Sequence, residues 1–562
     1  MSKQQDWWKE SIVYQIYPKS FKDSNDDGIG DIRGIIQKLE YLKYLGINVI
    51  WLNPIFESPM VDNGYDISNY YKMNLDFGTK DELKLLVKEA HNKGIKIILD
   101  LPVNHTSNQH KWFIESAKNE DNKYSDYYIW KSPKKDGSEP NNWISSFGGS
   151  AWEYNSNRNK YYLHCFAKEQ PDLNWENPNL RKDIYKMMRY WLDFGIDGFR
   201  LDVISLLSKR QNFPDSPPQN KDTKNYYIGV SNGPRIHEFI QEMNDLVFSK
   251  YDVMIVGETP NTTLEQAILY TSPKRKEMNM VFQFDHMHID YGELGKFSNV
   301  RFKLSDLKKV MTKWQNGLEE GWNALYWSNH DQPRAVTRFG DDKLYRKESA
   351  KMLGTLLHMM KGTPFIFQGE ELGMKNVPFL FLEYYQDIET RGEIEKLKSM
   401  GFDLSFIEKV CYLKSRDNAR TPIPWTNKGA YNGFSNTQPW IRVSPDNIEI
   451  NVENELRDKQ SVFFYYRELI RIRKKYDVVI NGKYRLVDAD DSDVFAYIRE
   501  TDKEELLVIC SFSDSRINYV ISKEVMKDNF ELLLSNYTRR NSQLKENMIL
   551  KPYESLIYYR KK

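Results

Sequence analysis

Gly198-Phe199-Arg200-Leu201-Asp202-Val203 is the stretch from which the rest of the chain can be read. Ahead of it, DIYKMMRYWLDFGID (183–197) repeats apolar side chains at three- and four-residue steps, the period of an amphipathic helix. After it another helical start follows. The six residues therefore form the tip of a buried strand, and Arg200 and Asp202, two positions apart, share one face at its carboxyl end. In a parallel sheet covered by helices, chemistry collects at the carboxyl ends of the strands, which makes Asp202 the first candidate. A purely structural salt bridge to Arg200 is the alternative, and this stretch alone leaves both open.

Seven further apolar runs have the same character. They are IVYQIYP (12–18), NVIWLNPI (48–55), IKIILDLPV (95–103), VMIVGE (253–258), MVFQFD (280–285), ALYWSN (324–329) and TPFIFQGEE (363–371). Amphipathic segments such as KDELKLLVKEAHNKG (80–94) separate them. With GIDGFRLD (195–202) they make eight strand-helix units, which predicts an α/β fold: a closed (β/α)8 TIM barrel with its site in the loops after the strands. Residues 105–176, rich in Asn, Ser, Gly and Trp with little helical period, are too long for a plain connection after the third strand. They read as an irregular subdomain inserted over the barrel mouth. From about residue 483 short strand-like pieces divided by polar turns predict a C-terminal antiparallel β-sandwich. The expected division is 1–104 with 177–482 for the barrel, 105–176 for the insertion and 483–562 for the sandwich.

The bulk composition excludes several classes. A formal net charge of +1 over 562 residues gives no footprint for nucleic acid. Aromatic residues at 14% exceed what turns and linkers use, so most fill cores, while some suit stacking on sugars. Cys165, Cys411 and Cys510 lie far apart without metal-site spacing and read as buried thiols. The start, MSKQQDWWKES, lacks the apolar region of a signal peptide, and no later run reaches membrane-spanning length, so a cytoplasmic protein without a membrane partner is expected.

Acidic residues end three of the eight strands: Asp202, Glu258 and, just beyond Asn329-His330, Asp331. Carboxylates converging from several strand ends suit glycoside cleavage, where one attacks the anomeric carbon and another protonates the leaving oxygen. Asp202 beside Arg200 is expected to stay ionised and serve as nucleophile; Glu258, after the apolar VMIVG, is expected to be raised by burial and serve as acid. His105 and His330, at the same rim, are placed to hydrogen-bond sugar hydroxyls.

DLPVNH (100–105), GFRLD (198–202), GETP (257–260), SNHDQ (328–332) and QPDLN (170–174) occur where this reading puts strand ends and the insertion. Together with WWKESIVYQIYPKSF, DNGYDISNY (62–70) and RDNARTPIPW (416–425), they resemble the α-amylase family of glycoside hydrolases (family 13), in its oligo-1,6-glucosidase and α-glucosidase branch. The resemblance implies that Asp202 is the nucleophile, Glu258 the general acid/base and Asp331 the carboxylate gripping two sugar hydroxyls. It implies that Arg200, His105 and His330 support the first subsite, that Asp62, Tyr65 and Arg416 close the pocket and make cleavage exo, and that Phe147 and Phe166 line it. The mechanism implied is retaining, with carboxyls roughly 5 to 5.5 Å apart. In this branch Val after the nucleophile goes with α-1,6 linkages, so Val203 implies isomaltose and isomalto-oligosaccharides; the bland alternative is a β-branched residue suited to a strand end. A monomer acting on a small oligosaccharide, without organic cofactor, is the expectation.

Asp23-Ser24-Asn25-Asp26-Asp27-Gly28-Ile29-Gly30-Asp31 carries oxygen-bearing side chains at alternate positions and a Gly for a sharp turn, as in a calcium loop, but Gly34 stands where the closing Glu belongs. On residues alone it could equally be a turn capping the helix that begins at Ile32. The resemblance implies one structural Ca2+ on Asp23, Asn25, Asp27, Asp31 and the Ile29 carbonyl.

Two departures stand out: Pro102 where a Val is usual, and Gln386 where relatives often carry Arg. Three other readings compete. Trehalose-6-phosphate hydrolase shares the motifs and needs cations near the acceptor subsite. Sucrose isomerase has an Arg-rich loop after the seventh strand, where this chain has QPRAVTR (332–338). Transporter heavy chains of this fold carry a membrane span and lose the catalytic carboxylates, neither of which applies here.

Overall fold

The computed structural model describes residues 6–217, 229–539 and 543–562. Eight parallel strands form its centre: β1 (Val13–Ile16), β2 (Val49–Leu52), β3 (Lys96–Pro102), β4 (Gly198–Asp202), β5 (Met254–Glu258), β6 (Met280–Phe282), β7 (Ala324–Leu325) and β8 (Thr363–Phe367). They lie in the order β6-β5-β4-β3-β2-β1-β8-β7, and a parallel bridge from Val281 to Asn323 closes β6 onto β7. The sheet is thus the expected (β/α)8 barrel. Every strand residue except Lys96 is buried, because side chains point either into the barrel or against its helices. That double burial is why the strands read as unbroken apolar runs.

Local chemistry fixes the entry to β4. The helix Pro178–Phe194 starts on Asn177, whose side chain accepts from the Asn179 and Leu180 N–H groups, has Pro178 in its first turn, and ends at Gly195 in a left-handed conformation. It buries Leu180, Ile184, Met188, Trp191 and Leu192, each such side chain stabilising the fold by about 1.5–3 kcal/mol. Gly198 then opens β4 at φ +149°, where an added Cβ would fall 2.0 Å from the Met254 carbonyl oxygen of β5. Only glycine permits that approach. Register aligns the strand tips: Asp100 of β3 faces Arg200 of β4, and Pro102 faces Asp202. Pro102 stands at the last position of β3, and its carbonyl accepts from Tyr70 Oη at 2.8 Å, so the ladder upstream is undisturbed.

The insertion is more regular than its composition suggests. It holds a helix, Lys111–Ser116, and a three-stranded antiparallel sheet in the order Trp130–Lys131, Lys160–Leu163, Trp152–Asn155. Its Asp172 is fully buried, ion-paired to Lys209 at 2.7 Å, and Lys209 also donates to Asn104 Oδ1 at 2.7 Å. The QPDLN motif therefore anchors the insertion to the loops after β3 and β4.

The C-terminal region is a five-stranded antiparallel sheet in the order Lys483–Val487, Val494–Glu500, Glu504–Ser511, Ser555–Lys561, Glu531–Ser535, with a two-stranded ribbon, Ile517–Val520 and Asn547–Leu550. Val494, Ile498, Leu507 and Leu556 pack with Tyr519, Met548 and Leu550 of the ribbon. The opposite face, with Phe495, Tyr497, Leu506 and Val508, packs on Met352, Leu356 and Leu357 of the barrel. Among the described residues no helix is long and apolar enough to cross a membrane.

Candidate active site

The carboxyl ends of β3, β4 and β5 bring three acids onto one cation. Arg200, 1% exposed, donates from one terminal nitrogen to Asp202 Oδ1 at 2.6 Å and Asp100 Oδ1 at 2.8 Å; its other terminal nitrogen lies 2.7 Å from Glu258 Oε2. Asp100 is further satisfied by Tyr65 Oη at 2.8 Å and Trp51 Nε1 at 3.1 Å. One buried guanidinium cannot balance three buried carboxylates. Burial accordingly pushes Asp202 and Glu258 up to about 7 and Asp100 to about 6, despite the pull of Arg200.

The ionised Asp202 expected from the sequence thus depends on more than its neighbour. Burial raises Asp202 and Glu258 alike, so the expected contrast between an ionised Asp202 and a raised Glu258 does not come from their surroundings alone. Glu258 Oε2 is engaged by Arg200 and by the Val203 N–H at 3.0 Å. Val203 itself lies beyond the end of β4, at φ +35° and ψ +43°. A β-branched residue in the left-handed region carries roughly 1–3 kcal/mol of strain. The reading of Val203 as a residue merely suited to a strand does not hold.

A second ionic cluster adjoins the first. Asp331 Oδ1 accepts from Arg416 at 2.9 Å and Arg420 at 3.2 Å, and Oδ2 faces His330 Nε2 at 3.2 Å. Gln15 Nε2 donates to His330 Nδ1 at 2.9 Å, which leaves the ring proton on Nε2, toward Asp331. Burial works to raise Asp331, but His330, Arg416 and Arg420 hold it well below the usual carboxylate range. Arg416 also pairs with Asp387 at 2.6 Å and Asp62 at 3.2 Å. Burial pushes Asp62 up to about 7 against that pull.

Aromatic and imidazole rings join the clusters. Tyr65 stacks on His330 with centroids 5.1 Å apart and planes 4° from parallel. Phe147 lies under the Arg416 guanidinium at 5.2 Å and 5.7 Å from Phe166, which packs at 5.1 Å on His105. His105, pushed down to about 4 by burial, is neutral; its Nε2 lies 3.2 Å from the Tyr65 carbonyl and 3.3 Å from Gln170 Nε2, which also donates to Asp62. All twelve residues proposed for catalysis and substrate binding thus meet in one connected network. Asp100, Arg420, Asp387 and Gln170 belong to it too. Asp100, Arg420 and Gln170 lie inside the quoted motifs DLPVNH, RDNARTPIPW and QPDLN, whereas Asp387 carries no pattern.

The Asp23–Asp31 loop lies elsewhere. Asp23 accepts from the N–H groups of Asn25, Asp26 and Gly28, Asp27 from Ile29, and Asp31 from Ser24 and Gly34, the last capping the helix Ile32–Gln37. The capping reading of the loop holds, since Asp31 caps the helix. No three acidic, His or Cys side chains converge as a metal site there or elsewhere among the described residues. Oxygen-bearing side chains at alternate positions are the donor chemistry of a hard cation, while Asp23 Oδ1 and Asp31 Oδ1 each accept two hydrogen bonds within the loop.

Comparison with known proteins agrees with this geometry. Residues 15–482 match the α-amylase catalytic domain, and residues 494–557 match the C-terminal domain of the α-amylase SusG. An oligo-1,6-glucosidase of Parageobacillus thermoglucosidasius is 53% identical over 557 residues, 98% of both chains. A trehalose-6-phosphate hydrolase of Bacillus subtilis is 48% identical over 563 residues, 99% of both. The crystal structure of the Bacillus licheniformis trehalose-6-phosphate hydrolase superposes with a TM-score of 0.94 at 46% identity, covering 99% of this chain and 100% of that one. With the barrel, its strand-end acids and a match running from the first strand to the last, the chain belongs to the α-amylase family and is a glycoside hydrolase.

Proposed function

We propose that the enzyme is an exo-acting, retaining α-glucosidase that removes terminal α-1,6-linked glucose from isomaltose and isomalto-oligosaccharides. The observation that carries this is that Arg200 holds Asp202 at 2.6 Å and Glu258 at 2.7 Å, which brings the two carboxyls together on one guanidinium as a closely spaced retaining pair requires. On this reading Asp202 attacks the anomeric carbon, and Glu258 gives its proton to the leaving oxygen and later takes one from water. Asp331, kept ionised by His330, Arg416 and Arg420, grips sugar hydroxyls as the ring flattens. The Asp62–Arg416 pair over Phe147 supports a wall that stops the chain beyond one terminal glucose. Val203, hydrogen-bonded to Glu258, is the linkage selector.

Trehalose 6-phosphate as substrate would need a cation free for a phosphate dianion. Among the described residues, the cations at this site already face carboxylates: Arg200, Arg416 and Arg420 as above, and Lys296, which donates to the Asp331 carbonyl at 3.1 Å, pairs with Glu389 at 2.5 Å. This favours the neutral disaccharide. Initial rates on isomaltose, panose, maltose, sucrose, trehalose and trehalose 6-phosphate, with Asp202→Asn as a dead control, test the proposal; a higher kcat/KM on trehalose 6-phosphate than on isomaltose would overturn it.

One structural Ca2+ in the Asp23–Asp31 loop, on Asp23, Asn25, Asp27, Asp31 and the Ile29 carbonyl, belongs to the same proposal, supported by the spacing of its oxygen donors. All three cysteines are buried and unpaired, which supports a reducing, cytoplasmic setting. A monomeric enzyme completes the proposal, to be checked by size-exclusion chromatography.

A further inference from the structure

Asp290, in the loop after β6, holds two cations from distant parts of the chain. Its oxygens accept from Arg338 Nη2 at 2.6 Å and Arg338 Nε at 2.9 Å, a forked pairing, and the second of them also accepts from Lys414 Nζ at 2.5 Å. All three side chains are buried.

Each cation leads to one half of the Asp331–Arg416 pair. Arg338 Nη1 donates to Gln332 Oε1 at 2.7 Å, and Gln332 directly follows Asp331 in the chain. Arg338 Nη2 also donates to the Met287 carbonyl at 2.5 Å, which ties the guanidinium to the turn after β6. Lys414 ends the helix Leu404–Lys414, two positions before Arg416. Between them Ser415 is held by its hydroxyl, 2.9 Å from Thr390 Oγ1. The two arms meet again where Arg416 donates to Asp331 Oδ1 at 2.9 Å.

Stability alone is a weak reason for such a cluster. Burial, and after it Arg338, pushes Lys414 down to about 8; burial works to raise Asp290, but Arg338 and Lys414 hold it below its ordinary value. Apolar side chains of similar volume often fill such a space as favourably as buried ions do. What the ions add is direction, because a carboxylate fork fixes where a guanidinium points. We propose that Asp290 is a positioning residue for glycoside cleavage: by holding Arg338 and Lys414 on one carboxylate, it sets the Asp331 loop and the Arg416 arm at the spacing at which both face the same sugar. This rests on the reading of Asp331 as the carboxylate that grips sugar hydroxyls.

Asp290→Asn would leave two buried cations without a counter-charge and can fail to fold for that reason, so the test uses variants that leave Asp290 one cation each. Arg338→Met, alone and with Asp331→Asn, and Lys414→Met, alone and with Arg416→Gln, are assayed in the full-length protein on p-nitrophenyl α-glucoside, with melting temperatures alongside. Each single variant should lower kcat by about tenfold or more with KM held within about twofold, since a misplaced group is felt most in the transition state. Added to its partner substitution, each should change kcat/KM by less than about twofold, because the group it positions is already gone. Parental kcat in the single variants, or an equal fold-loss with and without the partner substitution, would make the cluster a support of the fold only and overturn the proposal. Ordinary turnover in Asp331→Asn alone would instead remove the role given to Asp331, and the proposal with it. The linkage reading stands apart, since this substrate has no α-1,6 bond.

Discussion

The Val203 N–H donates to Glu258 Oε2 at 3.0 Å, so the residue after the proposed nucleophile is fastened to the proposed acid. A change at Val203 therefore reaches the acid carboxyl as well as the sugar pocket. Val203→Ala removes the branched side chain and should lower the isomaltose-to-maltose ratio of kcat/KM by about tenfold, the worth of a methyl-scale contact in a pocket. Side-by-side initial rates measure it, and an unchanged ratio would remove Val203 as the selector.

Asp202→Asn and Glu258→Gln should each lower kcat by about a thousandfold or more while leaving the melting temperature close to that of the parent, since both shapes are kept. If either variant retains ordinary turnover, the assignment of the pair is wrong.

Arg200 lowers the pKa of Asp202 through its charge and hydrogen bond. Arg200→Gln removes both, so Asp202 binds its proton more tightly and the acid limb of the kcat/KM profile should move to higher pH, along with a fall in the maximum. A limb that stays in place would show that Asp202 does not govern it.

Glu370, buried just past β8, accepts from Ser328 Oγ and Tyr466 Oη and is pushed up to about 8 by burial. Its folded value lies above the ordinary carboxyl value of 4.5, so the folded state keeps a proton that the unfolded state has lost between those limits. Stability from this group is full below about pH 4.5 and falls as the pH rises toward 8. Glu370→Gln should therefore gain melting temperature relative to the parent on going from pH 5 to pH 8. Equal slopes for the two proteins would contradict the sign.

Chelation tests the loop at Asp23–Asp31. Adding a calcium chelator should lower the melting temperature by several degrees, with recovery on excess Ca2+ but not Mg2+, whose small octahedral shell suits this loop poorly. A melting curve indifferent to chelator would leave the loop as a helix-capping turn alone.

Much of this site is legible from the chain because burial writes itself into composition. Strands covered on both faces must be apolar throughout, so Asp202 and Glu258 show up as acids ending such runs. Asp100 escapes that logic because it sits inside β3, two residues short of its end. The insertion's sheet is hidden because its strands, such as Trp130–Lys131, are too short to show a period of two. Asp387 follows no strand and reaches the pocket through Arg416 and Arg420. The left-handed backbone of Val203 runs against its own residue type, so no propensity could announce it.

The position of Arg416 in the chain sets an order of events. Asp202, Glu258, Asp331 and the last barrel strand, which ends at Phe367, have all left the ribosome before Arg416 emerges behind the helical hairpin Ile388–Ser399 and Leu404–Lys414. The wall against Asp62 is unmade until that later segment has been added. The acid pair is thus specified earlier in synthesis than the arginine that faces both Asp62 and Asp331.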